Sequence, residues 1–143
     1  NGPKVIEYNS RFGDPETQVV LPRLRTDFIK IINAVIDEKL DTIDIEWDDN
    51  ACVCVVAASG GYPVKYEKGY EITGLDWFDG KDDLKVYHAG TALKDGRLVT
   101  SGGRVLGVTA IGKDLDDAIK KAYDAIEHVH FKDMHFRRDI GIK

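Results

Sequence analysis

Near residue 44 the apolar residues of this chain change their spacing, and that change restricts the fold more than any other feature. Phe28, Ile31, Ile32, Val35 and Ile36 recur at helical intervals. Beyond residue 50 the pattern becomes one of short strands, at 51–58, 65–73, 84–89, 98–100 and 103–111, punctuated by Gly60-Gly61, Asp79-Gly80, Asp95-Gly96 and Gly102-Gly103. A helix returns after Asp114, with Leu115, Ala118, Ile119, Ala122, Ile126 and Val129 along one stripe, and a closing strand is expected at 134–138. The chain therefore reads as α+β, divided into residues 1–43 and a β-rich domain, 44–143, with one amphipathic helix. A hydrophobic content of 43% over 143 residues is enough for a real core.

The ends of the elements carry their own signals. Asp14 followed by Pro15 predicts the start of a short helix through Val20, because proline pre-sets the first helical position and an aspartate can satisfy an orphan amide. Thr26 is expected to cap the next helix, ending near Lys39, and Asp114 the last one. Upstream, KVIEYNS predicts a strand entered from a turn at Asn1-Gly2-Pro3.

Charge and cysteine usage exclude several classes. Twenty basic and 25 acidic residues, net charge -5, are scattered in short mixed groups, with no basic stripe for nucleic acid. No apolar run is long enough to span a membrane and no signal peptide is visible, so neither nucleic acid nor membrane is an expected partner and the cytoplasm is the expected location. Cys52 and Cys54 share one strand face, which suits buried free thiols better than a disulfide or a zinc site. Gly107 to Lys113 has the spacing of a phosphate-binding loop. Its interior consists of strand formers, and Asp114 stands where a hydroxyl is required, so a turn and a helix cap explain it better. His128, His130 and His135 read as helix-terminal or surface residues.

Glu7, Asn9 and Arg11 stand at alternate positions, and on a strand all three side chains would share a face. Two hard oxygen ligands beside a guanidinium suit Mg²⁺ held between protein and substrate phosphates, since Mg²⁺ takes only one or two protein oxygens there. A half-exposed strand without ligands explains the same pattern. Gly102-Gly103 before Arg104 reads either as a hairpin turn or as a close backbone approach to a ligand whose phosphate Arg104 would reach. His88, at a strand end before Ala89-Gly90-Thr91, is either a loop anchor or a substrate contact.

The run GPKVIEYNSRFGDPETQVVLPRL resembles the last metal-binding strand and following turn of an ATP-grasp ligase, in the form found in the phosphoribosylamine-glycine ligases. ASGGYPVKYEKGYEITGLD, YHAGT, DGRLVTSGGRVLGVTAIG and FRRDIG resemble successive segments of the C-terminal domain of that family, in order, so the resemblance covers essentially the whole chain. It implies that residues 1–43 are the end of an ATP-grasp domain, a strand plus helices, and that a larger N-terminal part of the same enzyme is the missing partner. It also implies ATP as co-substrate, glycine and 5-phosphoribosylamine as substrates, Mg²⁺ (or Mn²⁺) on Glu7 and Asn9, and Arg11 as the catalytic residue steadying the phosphoryl group. Gly13 and Asp14 would lie beside glycine, with Arg104 and His88 as further substrate contacts. A different ATP-grasp ligase or carboxylase, and a noncatalytic interaction module in residues 44–143, are the alternatives. The chain alone is expected to be inactive.

Overall fold

The computed structural model describes residues 2–142, so the turn expected at Asn1-Gly2-Pro3 begins outside them. Helix α1 covers Thr17–Val20 and runs into a 3-10 turn at Leu21–Arg23; helix α2 covers Phe28–Ile36. Strands follow at Ala51–Ala58 (β1), Leu84–His88 (β2), Thr91–Lys94 (β3), Arg97–Thr100 (β4) and Arg104–Gly112 (β5), and helix α3 at Leu115–Ile126. The α+β expectation holds.

Strand β5 is central in an antiparallel sheet of order β1-β5-β2, while β3 and β4 form a separate hairpin. Asp95 and Gly96 turn that hairpin with φ of 50° and 78°, a pair of positive values that matches the right-handed twist of the strands. On one face of the sheet, Val53, Val55, Ala57, Val108 and Ala110 pack against Ala118, Ala122, Ala125 and Ile126 of α3. Alanines let the helix come close, and Gly112 permits it: a Cβ there would lie 2.7 Å from the Cα of Ala118. Asp114 caps α3 by accepting from Asp117 N at 2.8 Å, as its sequence position implied. The opposite face, carrying Cys52 and Cys54, is covered by α1 and its 3-10 turn.

One irregularity places a candidate site residue. Ala57 pairs with Leu106 but Ala58 pairs with Arg104, so β5 carries one extra residue at Val105. Regular alternation from Leu106 would put Arg104 on the α3 face. The bulge transfers it to the α1 face, where it meets Asp14.

Several expected elements differ. Residues 2–9 form no strand, so Glu7, Asn9 and Arg11 share no strand face. A strand needs a neighbour to take its amides and carbonyls, and none of the described strands lies beside this segment; Ile6 is 96% and Tyr8 89% exposed. Asp14 does not cap α1, because its carboxylate is taken by Gln18 and Arg104. Asp27, not Thr26, caps α2, accepting from Ile29 N at 2.7 Å, while Thr26 Oγ1 accepts from Glu46 N. That helix stops at Ile36, short of Lys39, as Glu38 turns to a φ of 55° and Lys39 N closes on Ala34 O at 2.7 Å. Leu115, expected on the buried stripe of α3, is exposed.

The 65–73 segment is bent by Gly69 and Gly74, both at positive φ, and keeps only isolated bridges to Val99 and His130. The 134–138 strand reduces to one bridge between His135 and Ala58. Residues 107–112 lie within β5, so the phosphate-loop spacing is a strand entering a helix cap. No helix among the described residues is long and apolar enough to cross a membrane.

Candidate functional site

Two of the three N-terminal candidates meet. Asn9 Nδ2 donates to Glu7 Oε1 at 2.9 Å, both side chains exposed, which leaves the amide oxygen of Asn9 and the second carboxylate oxygen of Glu7 outward. Arg11 is not brought to them by any hydrogen bond among the described residues; its Nη1 donates to Phe12 O at 2.7 Å. Among the described residues no group of three or more His, Cys, Asp or Glu side chains could hold a metal. An adjacent Glu and Asn nevertheless fit a cation such as Mg²⁺ that fills its remaining positions with phosphate and water.

The other candidates gather around Asp14. Arg104 Nη2 lies 3.2 Å from Asp14 Oδ2, and its Nη1 donates to the Asp14 carbonyl at 2.7 Å, so one residue grips the guanidinium with side chain and backbone together. Gln18 Nε2 donates to Asp14 Oδ1 at 2.9 Å from one helical turn away. A cavity of about 520 Å³ opens beside this cluster, lined by Asp14, Thr17, Gln18, Leu21, Pro22, Tyr87 and His88. His88 Nδ1 lies 3.1 Å from Thr91 Oγ1, which anchors the ring to the following loop while its position still lines the cavity. Gly13 supports the start of α1, its carbonyl accepting from Thr17 N at 3.1 Å.

Gly102-Gly103 is not a hairpin turn, since β4 and β5 belong to different sheets. The pair is a close-packed crossing: Gly102 lies against Gly90, Gly103 lies under the Tyr62 ring, and both carbonyls accept from Ser59. Its backbone thus supports Arg104 from within the protein. Behind the site, burial pushes the Cys52 thiol up to about 11, aided by neighbouring Cys54, and burial also raises the Cys54 thiol and the Tyr87 hydroxyl. Both cysteines are free and protonated at neutral pH, as their strand spacing implied. Gln18 and Tyr87 were not singled out from the sequence; for Gln18 the available signal was its position four residues after Asp14.

The domain family described as "Phosphoribosylglycinamide synthetase, C domain" matches residues 52–143. The chain belongs to this family. A phosphoribosylamine–glycine ligase from Caldanaerobacter subterraneus subsp. tengcongensis is 52% identical over 140 residues, covering 98% of this chain and 33% of that protein. The trifunctional purine biosynthetic protein adenosine-3 of Gallus gallus is 52% identical over 145 residues, covering all of this chain and 14% of that protein. The crystal structure of phosphoribosylamine–glycine ligase from Thermotoga maritima superposes with a TM-score of 0.76 at 40% identity, over 96% of this chain and 33% of that one. The phosphoribosylglycinamide synthetase C domain is thus present together with the preceding 51 residues. The chain spans about a third of the length of the single-function relatives it matches.

Proposed function

We propose that this chain is the C-terminal part of an ATP-dependent phosphoribosylamine–glycine ligase of the ATP-grasp type, acting in purine biosynthesis. In that reaction the γ-phosphoryl group of ATP passes to the carboxylate of glycine. The amine of 5-phosphoribosylamine then attacks the acyl carbon, the bond to phosphate breaks, and glycinamide ribonucleotide, ADP and phosphate leave. The family match and the printed names of relatives support the reading. Catalysis of such transfers is chiefly positioning and charge neutralisation, because anionic oxygens must be brought together.

The observation that carries the assignment to residues is the grip of Asp14 on Arg104, which joins the loop expected to hold glycine to a cation expected to hold the acceptor phosphate. Arg104 retains N–H groups beyond those given to Asp14, enough to face a phosphate. His88, fixed through Nδ1, can present Nε2 to the cavity beside Asp14. Glu7 and Asn9 would hold Mg²⁺ or Mn²⁺, which when bound would neutralise the ATP phosphates. Arg11, exposed and, among the described residues, hydrogen-bonded to the Phe12 carbonyl, would turn toward the transferring phosphoryl group.

The test is Arg104→Ala in the complete ligase, assayed with glycine, ATP and phosphoribosylamine. Losing one charge-assisted anion contact should raise KM for phosphoribosylamine by about ten- to a hundredfold, with KM for ATP little changed. An unchanged KM for phosphoribosylamine would remove Arg104 from the site.

A further inference from the structure

We propose that Gln18 is a positioning residue for the acceptor side of the site, acting through Asp14 on Arg104; the inference rests on the ligase reading above. Asp14 Oδ1 accepts from Gln18 Nε2 at 2.9 Å, while its Oδ2 and its carbonyl hold the two terminal nitrogens of Arg104. Gln18 therefore fixes the carboxylate rotation on which the two-point grip depends. The orientation of the Gln18 amide is set by the same bond, since the reverse orientation would aim its oxygen at a carboxylate.

The other end of that amide makes the assignment informative. Gln18 Oε1 is buried and has no hydrogen-bond partner among the described residues. An unsatisfied buried carbonyl oxygen is destabilising, and an apolar side chain of the same length would fill the space without it. A residue serving only the packing of α1 on β1 has no need of the amide, whereas one serving Asp14 needs its N–H and carries the oxygen along. Gln18 also lines the cavity with Tyr87 and His88, so a change in Asp14 is felt where the acceptor would enter.

The experiment uses the complete enzyme and Gln18→Met, which keeps the length and removes the donor. Expected is a rise in KM for phosphoribosylamine of at least about tenfold with kcat and KM for ATP within about threefold, and a melting temperature equal to or above that of the wild type. In an Arg104→Lys background the two-point grip is absent, and Gln18→Met should then change KM by less than about twofold. An active wild type whose Gln18→Met variant keeps the wild-type KM overturns the inference alone. A fall in melting temperature accompanying the loss of activity, or an undiminished effect in the Arg104→Lys background, assigns Gln18 to the fold and overturns it as well. A wild type that does not ligate glycine overturns the reading of function, and the inference falls with it.

Discussion

Asn9 donates its amide N–H to Glu7 Oε1, 2.9 Å away, and keeps its amide oxygen available to a cation. The pair thus pre-orients two oxygens without a rigid strand. Replacing Asn9 with Leu in the complete enzyme removes one oxygen and the orienting bond together, and the rate should fall by at least about a hundredfold. Folding should be unaffected, because Asn9 is exposed and its side-chain hydrogen bond among the described residues goes to the exposed Glu7. Cys52→Ser is the matching control: the thiol is half-buried and protonated and makes no hydrogen bond to Glu7 or Asn9 among the described residues, so kcat should stay within about threefold. Steady-state kinetics on both variants checks the contrast. Equal, small effects would overturn the proposed metal site on Glu7 and Asn9.

Elements whose signal is local were legible. Helix α3 keeps its cap at Asp114 and buries Ala118, Ala122 and Ile126 of its expected stripe, though not Leu115, because nothing tertiary competes with the cap or with these small apolar positions. Asp114→Ala should therefore cost about 1 kcal/mol of stability, the usual worth of a side-chain N-cap, read as a shift in the urea midpoint at unchanged slope. Strands β1 and β5 were legible from their apolar runs. The bulge at Val105 was not: two consecutive residues are fully buried there, and no sequence pattern distinguishes a bulge from continued alternation in a strand buried on both faces. That single residue decides on which face Arg104 emerges, so the meeting of Arg104 with Asp14 could not be derived from the sequence. The segment at 65–73 misled for a different reason, since its alternation is real but Gly69 and Gly74 turn the chain before a ladder can extend. Asp14 misled because a carboxylate ahead of a proline resembles a cap until a distant arginine and Gln18 claim it.

At the scale of the molecule, stability is unevenly distributed. The sheet of β1, β5 and β2 with α3 encloses the buried side chains, whereas Val5, Ile6 and Tyr8 and much of α2, including Ile29, Val35 and Ile36, turn apolar surface to solvent. An exposed apolar set of this size asks for cover, and the single-function relatives are about three times as long as this chain. Hydrogen exchange on the 143-residue chain should therefore show strong protection across β5, paired on both sides, and at the β1 amides bonded to it, and fast exchange over residues 4–9, which have no ladder. In the complete ligase the same residues 4–9 should become protected as the apolar side chains around them are covered and their backbone acquires a neighbour. The isolated chain should also fail to turn over ATP, because its two expected cation ligands sit on an unsupported segment. Protection of residues 4–9 equal to that of β5 in the isolated chain, or measurable ATP turnover by it, would mean that the site is already organised within these 143 residues and that the surface around α2 needs no partner.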